Sequence, residues 1–306
     1  MPDPRTPIFR GRDPLAGHKN HENPEAMTTT LSAVSETALI TLKSRAVETA
    51  KESPLLHDPH SLELIDRLQS LELSALQRRH LERTPPATLS SYIALRARKY
   101  DAYARDFLGE HSSGLVVSLG AGFDTRFWRI STEAEQYIEV DLPEVVSVKK
   151  EMLGTKLAYE LMGCSVLEDA WKERLAARGA AHILFLAEGL FMYLPEKEVI
   201  KLFQDLASGF QKSQMVFEVV NRKYTRGFRK KMVESKMKRR GGSTAGQSYS
   251  YGIRRGKDIE AYADNLKVLE EWSYFEDPDV WPGFLRFLGH FKSFSRTQWT
   301  VRAEIR

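Results

Sequence analysis

Two glycines in the middle of the chain follow an apolar run and precede an amphipathic stretch. Gly120 and Gly122 come directly after the mostly apolar segment 115–119. This order predicts a buried strand, a tight loop and a helix whose first N–H groups lack helical partners. Glycine lets the backbone turn sharply and has no Cβ to keep a ligand away. We therefore expect a nucleotide-like ligand at the carboxyl end of the first strand of an open α/β sheet.

The residue three positions after Gly122 restricts what this loop would bind. A dinucleotide fingerprint needs a third glycine there, for close helix packing beneath a pyrophosphate, and this chain has Thr125. The loop is better suited to one nucleoside carrying a small zwitterion. An ordinary strand–helix turn without a ligand is the alternative.

Two carboxylates come directly after two further apolar runs. Asp141 follows the predicted strand 136–140, about twenty residues after the glycine loop, where a carboxylate can accept hydrogen bonds from ribose hydroxyls. Glu188 follows the predicted strand 182–187, which should lie beside the first strand. Taken singly, Asp141 could cap a helix and Glu188 could be a solvated loop acid. Their shared position at strand ends favours one common site.

Strands alternate with helices from residue 115 onward, which predicts a parallel sheet with helices on both faces. After the three strands already named, strands are predicted near 160–167, 215–220, 267–275 and 291–303, with helices at 143–153, 171–178, 195–209 and 256–265. Residues 276–288 are expected to form a loop and a short helix.

The amino-terminal third is helical by pattern. We expect residues 1–31 to be disordered, and helices at 32–52, 59–70, 72–82 and 88–108. A single domain would then cover 32–306: a helical front block (32–110), a cofactor-binding core (111–221), a basic cap or lid segment (222–256) and a carboxyl-terminal part (257–306). The front block should pack beside and over the ligand site.

Composition is typical of a globular protein, with 42% hydrophobic and 28% charged residues among 306. The only cysteine, Cys164, excludes a disulfide framework and indicates a reducing, cytoplasmic compartment; we expect it to be a small buried residue. No apolar run approaches membrane-spanning length, so no membrane partner is expected.

Three segments resemble the leucine carboxyl methyltransferase family, in its bacterial polyketide O-methyltransferase branch of the tetracenomycin type. They are Ser118–Arg129, Tyr137–Pro143 and Ala187–Leu194. The resemblance runs from about Ile40 to the end of the chain. It implies a Rossmann-like class I fold with a mostly parallel seven-stranded sheet, and S-adenosyl-L-methionine as cofactor.

The resemblance also implies site residues. Arg96 matches the arginine that holds the methionine carboxylate, with Arg98 as the alternative if the alignment shifts by two. Gly120, with Gly122, would contact the methionine part, and Asp141 the ribose. Glu188 would lie near the amino-acid end. Ser165 and Val166 stand where some members carry aspartate and leucine near the adenine, and the serine departs from that pattern.

Other residues of the matching segments have less direct parts. Asp124 and Thr125 are expected to hold the glycine loop, and Tyr193 to be a core tyrosine or, alternatively, to line the pocket.

Methyl transfer from a sulfonium is a direct displacement, which an enzyme catalyses mainly by aligning the reacting atoms. A carboxylate acceptor is already ionised, whereas a phenol would benefit from a base. His57, His60, His111 and His182 lie outside any base motif and are expected to be structural or exposed. We therefore assign no catalytic residue, and no metal is predicted. The prediction is an O-methyltransferase for a carboxylate or phenol of a small, anionic or aromatic molecule.

Residues 222–240 contain ten Lys or Arg and a single acid, Glu234. This basic segment is either a solvated helix face or an attractor of anionic substrates at the pocket mouth. The remaining alternatives are a non-catalytic cofactor-binding protein, an RNA methyltransferase and a nicotinamide-dependent oxidoreductase. Aromatic residues are sparse in the basic segment, so a nucleic-acid partner is not favoured.

Overall fold

The computed structural model describes residues 33–71, 73–239 and 248–306. The segment predicted to be disordered, 1–31, and the end of the basic segment lie outside these residues. Among the described residues, no helix combines the length and apolarity needed to cross a bilayer.

The front block contains four helices, close to the predicted bounds. They are α1 (Ala33–Thr49), α2 (Pro59–Gln69), α3 (Ala75–Glu82) and α4 (Ala87–Glu110). Sequence signals explain two of the starts. Asp58 accepts the backbone N–H of Ser61 at the head of α2, and Ser74 forms a reciprocal capping box with Gln77 at the head of α3.

The described residues form a sheet of seven strands in the order β3-β2-β1-β4-β5-β7-β6. The strands are β1 (Leu115–Leu119), β2 (Tyr137–Asp141), β3 (Glu160–Gly163), β4 (Ile183–Ala187), β5 (Ser213–Val220), β6 (Leu266–Trp272) and β7 (Gln298–Ile305). β1 pairs in parallel with β2 and β4, while β7 runs antiparallel between β5 and β6. The mostly parallel α/β fold predicted from the sequence is confirmed.

In the part of the chain that the structure describes, seven further α-helices follow the front block. They are α5 (Arg126–Ile130), α6 (Pro143–Leu153), α7 (Ala170–Arg178), α8 (Glu196–Gly209), α9 (Gly227–Arg239), α10 (Leu285–Gly289) and α11 (Lys292–Ser295). Alternate residues of β1 enter two different apolar clusters: Val117 and Leu119 pack with α8, whereas Val116 packs with α1 and α4. The sheet is thus buried on both faces, as the continuous apolar runs predict.

Three predicted elements differ from the structure. The third strand ends at Gly163, because Ser165 begins a turn in which its hydroxyl accepts the Leu167 N–H. The predicted helix 256–265 is a 3₁₀ helix, Gly256–Ala261. The last strand begins at Gln298 rather than near 291, since the phenylalanines of 284–294 recur at helical spacing and form α10 and α11.

Candidate functional site

Three strands end at one edge of the sheet and bring the predicted site residues together. Gly120, Asp141 and Glu188 stand at the carboxyl ends of β1, β2 and β4, which are adjacent strands. All three line one cavity of about 230 Å³, which we call the first cavity. The other predicted residues on its wall are Arg96, Gly122, Ser165 and Val166. Helix α1 adds Thr37, Ala38, Thr41 and Arg45, so the front block does cover the site.

The glycine loop adopts a conformation that needs glycine. Gly120 and Gly122 have φ angles of +63° and +56°, in the left-handed region. A Cβ on Gly122 would lie 2.9 Å from the Cβ of Ala38, and one on Gly120 would lie 2.8 Å from Leu190 Cδ1. The missing side chains therefore keep the floor of the first cavity open.

Asp141 is fixed by the loop it faces. Its Oδ2 accepts the Gly122 N–H at 2.6 Å, and its Oδ1 accepts the Leu142 N–H at 2.7 Å. Burial raises the pKa of this carboxyl, and the two backbone donors only partly offset that effect. Each oxygen keeps a further lone pair, so the carboxylate can also accept two hydroxyl groups.

Glu188 lies between two arginines. Arg96 Nε donates to Oε1 at 2.8 Å, and Arg126 Nη2 donates to Oε2 at 2.5 Å. Burial opposes its ionisation, but the two guanidinium groups outweigh burial and lower the pKa of Glu188. The carboxylate is therefore charged at neutral pH.

Arg96, on α4, also binds a carboxylate that sequence reasoning missed. Its Nη1 donates to Glu218 on β5 at 2.7 Å, and Glu218 accepts a second hydrogen bond from the Tyr92 hydroxyl. Arg98, the alternative to Arg96, instead pairs with Asp277 and Asp279, both at 2.8 Å, and does not line the cavity. Of these two arginines, Arg96 is the one that lines the first cavity.

A buried ion-pair network supports this wall. Arg126 contacts Asp101 at 2.8 Å, Asp124 at 2.7 Å and Glu188 at 2.5 Å. Arg129 extends this ion-pair network to Asp58, which also binds Arg45. Thr125 donates its hydroxyl to Asp58, and the Asp124 carboxylate accepts the Thr125 N–H, as expected of residues that hold the loop. The sequence pattern did not predict this network, although Arg126 lies in one of the three segments that resemble the family.

A second cavity of about 600 Å³ adjoins the first, and we call it the second cavity. The two share Thr37, Thr41, Arg96 and Tyr193 on their walls. Six aromatic rings line it: Tyr92, Tyr193, Tyr249, Tyr274, Phe275 and Phe294. Its described wall includes no Asp or Glu, but does include His80, Arg83 and Arg96. Tyr193 is half-buried and faces both cavities, so the core interpretation of this residue was wrong.

The histidines weighed from the sequence lie away from both cavities. His111 and His182 stack on each other at 4.1 Å near the starts of β1 and β4, and His60 contacts Glu63. His80, which sequence reasoning passed over, is buried and lines the second cavity.

Cys164 is half-buried against the apolar core. Within the described ranges, no cluster of three or more His, Cys, Asp or Glu is arranged to hold a metal.

The chain is similar in sequence to known methyltransferases. A family model described as leucine carboxyl methyltransferase matches residues 38–207. The chain is 28% identical over 253 residues to the tetracenomycin polyketide synthesis O-methyltransferase TcmP of Streptomyces glaucescens, covering 82% of this chain and 87% of that protein. It is also 28% identical over 198 residues to the S-adenosyl-L-methionine-dependent methyltransferase dpfgK of Gibberella zeae, covering 62% of this chain and 66% of that one.

A solved structure shares the fold. The crystal structure of a DUF574-family protein from Streptomyces avermitilis superimposes with a TM-score of 0.53, covering 90% of this chain and 98% of that chain at 12% identity. At that identity the likeness concerns the fold alone.

Proposed function

The chain belongs to the leucine carboxyl methyltransferase family and is an S-adenosyl-L-methionine-dependent O-methyltransferase; from this premise we propose that it methylates an ionised oxygen of a small aromatic acceptor held in the second cavity. One observation carries the proposal. The second cavity shares Arg96 and Tyr193 with the wall of the first, so an acceptor there would adjoin a cofactor in the first. The oxygen acceptor of the polyketide relative supports the same chemistry.

The first cavity fits the cofactor. Its glycines leave space where a Cβ would intrude, and Asp141 retains acceptor capacity for ribose hydroxyls. In the ion-pair network behind it, five carboxylates (Asp58, Asp101, Asp124, Glu188, Glu218) face four arginines (Arg45, Arg96, Arg126, Arg129). This excess of negative charge suits a sulfonium cation. We assign the methionine part to Arg96, Gly120, Gly122 and Glu188, the ribose to Asp141 and the adenine side to Ser165 and Val166.

The cofactor, when bound, supplies a methyl group already activated on sulfur. This chain then has to bind the cofactor and the acceptor, orient the two, and exclude water from the site. Arg96 and Tyr193 stand at the junction of the cavities, where they can orient the incoming oxygen. The rings of Tyr92, Tyr274 and Phe275 replace water around the acceptor, which strengthens an anionic nucleophile.

The tyrosines of the second cavity are donors rather than bases. Burial raises the pKa of Tyr193 to about 12 and that of Tyr274 to about 12, so both are protonated at neutral pH. The described wall has no carboxylate either, whereas two of its residues are arginines. We therefore favour an acceptor that arrives ionised, a carboxylate before a phenol. Aromatic carboxylates match both the rings and the charge.

We also propose that residues 32–306 act as one domain, because the front helices and the strand ends form the same walls. The single cysteine supports a cytoplasmic location. An RNA acceptor has less support, since Tyr224 and Phe228 are the only aromatic residues of the basic segment 222–240.

Calorimetry with two ligands tests the cofactor assignment. S-adenosylhomocysteine should bind, and Arg96→Lys should weaken it about tenfold or more while leaving 5′-methylthioadenosine, which lacks the carboxylate, nearly unchanged. Arg98→Lys is the matched control and should affect neither ligand. Equal losses for both ligands in Arg96→Lys would contradict the role of Arg96, and no binding by the parent chain would contradict the cofactor site.

Methyl transfer from labelled cofactor tests the acceptor. Aromatic carboxylic acids and matched phenols are compared across pH. We expect acids to be methylated at a rate that is flat above their own pKa, and phenols to react poorly until they ionise. Preference for phenols at neutral pH, lost in His80→Gln, would replace our assignment with base catalysis by His80.

A further inference from the structure

The segment before β7 exposes an unusual amount of aromatic surface. Five aromatic side chains between residues 281 and 294 are close to half exposed or more: Trp281 (54%), Phe284 (68%), Phe287 (67%), Phe291 (49%) and Phe294 (48%). We call residues 281–294 the aromatic lip. A run of large exposed apolar side chains marks an interaction site rather than ordinary surface.

The aromatic lip borders the second cavity. Phe294 lines that cavity directly, and a Cβ on Gly289 would lie 3.0 Å from Phe275, another of its wall residues. Phe287 and Phe291 pack on each other with ring centroids 5.6 Å apart, on the outer side of α10 and α11. The exposed rings therefore continue an apolar wall from the cavity to the outside of the molecule.

The charged residues within the lip itself are all basic. Between Asp279 and Glu304 the chain contains no acid, and the lip carries Arg286, His290 and Lys292. In the part of the chain that the structure describes, neither Arg286 nor Lys292 forms an ion pair. The lip is thus aromatic and cationic at once.

The basic segment emerges beside the lip. Val220, at the end of β5, pairs with Gln298, at the start of β7, and Asn221 N–H donates to the Thr297 carbonyl at 3.0 Å. Helix α9 follows this point and exposes Phe228 (81%) and Met232 (51%) among Arg229 and Lys231. Glu234 on α9 accepts the Ser248 hydroxyl, next to the cavity residue Tyr249. Two cationic segments with exposed apolar side chains therefore flank the same cavity.

We propose that the aromatic lip and α9 dock on an anionic lipid surface, with the entrance of the second cavity facing the bilayer. Exposed Trp and Phe among Lys and Arg are what an interfacial segment needs, and lying in the interface requires no spanning length. Cationic side chains near anionic headgroups each add to binding in a salt-dependent way. A self-paired dimer across this face would bring like charges together, so a second copy is the poorer occupant. An acceptor dissolved in the bilayer could then enter the cavity directly.

Vesicle co-sedimentation of the full chain tests the proposal. It should bind vesicles of phosphatidylcholine mixed with phosphatidylglycerol, and not phosphatidylcholine alone, with affinity that falls as salt rises. Phe284→Ser with Phe287→Ser should lower the affinity about tenfold or more. The control Leu269→Ser removes an apolar side chain of 47% exposure on β6 and should change nothing.

Charge reversal gives a second, independent arm. Arg286→Glu with Lys292→Glu should abolish the preference for anionic vesicles. Lys150→Glu on α6 with Lys212→Glu before β5 makes the same charge change outside the lip. This control variant should keep the preference for anionic vesicles. Each variant is also titrated with S-adenosylhomocysteine, and all should bind it as the parent does.

Three results would overturn the proposal. One is the absence of vesicle binding in a chain that still binds S-adenosylhomocysteine, which leaves the proposed function standing. Another is equal binding by the lip variants and Leu269→Ser. The last is sedimentation of the lipid-free parent as a dimer that Phe284→Ser with Phe287→Ser dissociates, which would assign the lip to a second copy.

Discussion

The two adjoining cavities differ in the charged groups of their walls. Among apolar residues, the wall of the first cavity carries both carboxylates and arginines, and these are bonded to one another between α4, α5 and the end of β4. The wall of the second is rich in aromatic residues and carries no acid among its described residues. A charged, preorganised wall can hold one defined zwitterionic ligand, whereas an apolar wall tolerates variation in the ligand it accepts. Specificity for the cofactor and latitude for the acceptor would follow.

Removing the centre of the ion-pair network should have the largest effect. Arg126→Met leaves Asp101, Asp124 and Glu188 buried without the charge they share, and we expect a loss of about 3–5 kcal/mol in the free energy of unfolding. Urea denaturation measures it. Arg174→Met, whose side chain is 69% exposed, should cost less than about 1 kcal/mol. Similar losses in both variants would show that the network does not stabilise the fold.

Removal of the Asp141 carboxylate, which we assign to the ribose, should have the next largest effect. Asp141→Ala removes the acceptor for the Gly122 N–H as well as for the ribose hydroxyls, so S-adenosylhomocysteine affinity should fall by roughly a hundredfold. Calorimetry measures the dissociation constant for S-adenosylhomocysteine. The acceptor KM should change little when measured at saturating cofactor. A loss below about threefold would remove Asp141 from the ribose site.

On acidification, cofactor binding and the stability of the fold should be lost at different pH values. Arg129 and Arg45 lower the pKa of Asp58 despite its burial, and arginines likewise lower those of Asp124 and Glu188. These carboxylates stabilise the fold above their ordinary pKa near 4, and their contribution is lost as pH falls through the lower folded values. Asp141 has a raised pKa, so it protonates at a higher pH than they do. Cofactor affinity should therefore decline on acidification before the protein unfolds.

Circular dichroism and calorimetry at the same pH values test this order. Simultaneous loss of S-adenosylhomocysteine binding and of structure would contradict it. Asp141→Asn is the control, because it should bind weakly with little pH dependence in that interval.

A substitution in the wall of the second cavity should change acceptor binding and leave cofactor binding nearly unchanged. Tyr274→Ser removes a ring that packs edge-on against Tyr92 at 4.8 Å, and the acceptor KM should rise about tenfold. S-adenosylhomocysteine affinity should stay within about twofold of the parent. Tyr224→Ser, outside both cavities, is the matched control. A parallel loss of cofactor affinity would show that the two cavities act as one site.

The smallest effect is expected at the adenine side. Ser165 accepts the Leu167 N–H through its hydroxyl at 3.2 Å, so that oxygen already serves the turn. Ser165→Ala should lower S-adenosylhomocysteine affinity by no more than about threefold. A tenfold loss would mean that the hydroxyl contacts the adenine directly.

The strand ends and the glycine loop could be predicted because local patterns encode them. An apolar run before Gly120 and the acids after β2 and β4 are readable within a few residues, and parallel pairing places their ends at one edge. The exceptions are also local in origin. The carboxyl-terminal phenylalanines suggested a strand near 291, but their spacing favours short helices there.

The sequence by itself therefore determined the sheet, the glycine turn and the acids beside it. Tertiary structure alone decided the partners: Arg96 meets Glu218 across 122 residues, and Arg126 meets Glu188 across 62. It also decided that Tyr92, Tyr274 and Phe294, from distant segments, form one apolar wall. The physical reason is range. Hydrophobic period and turn chemistry act between near neighbours, whereas an ion pair or a cavity exists only after distant elements have packed together.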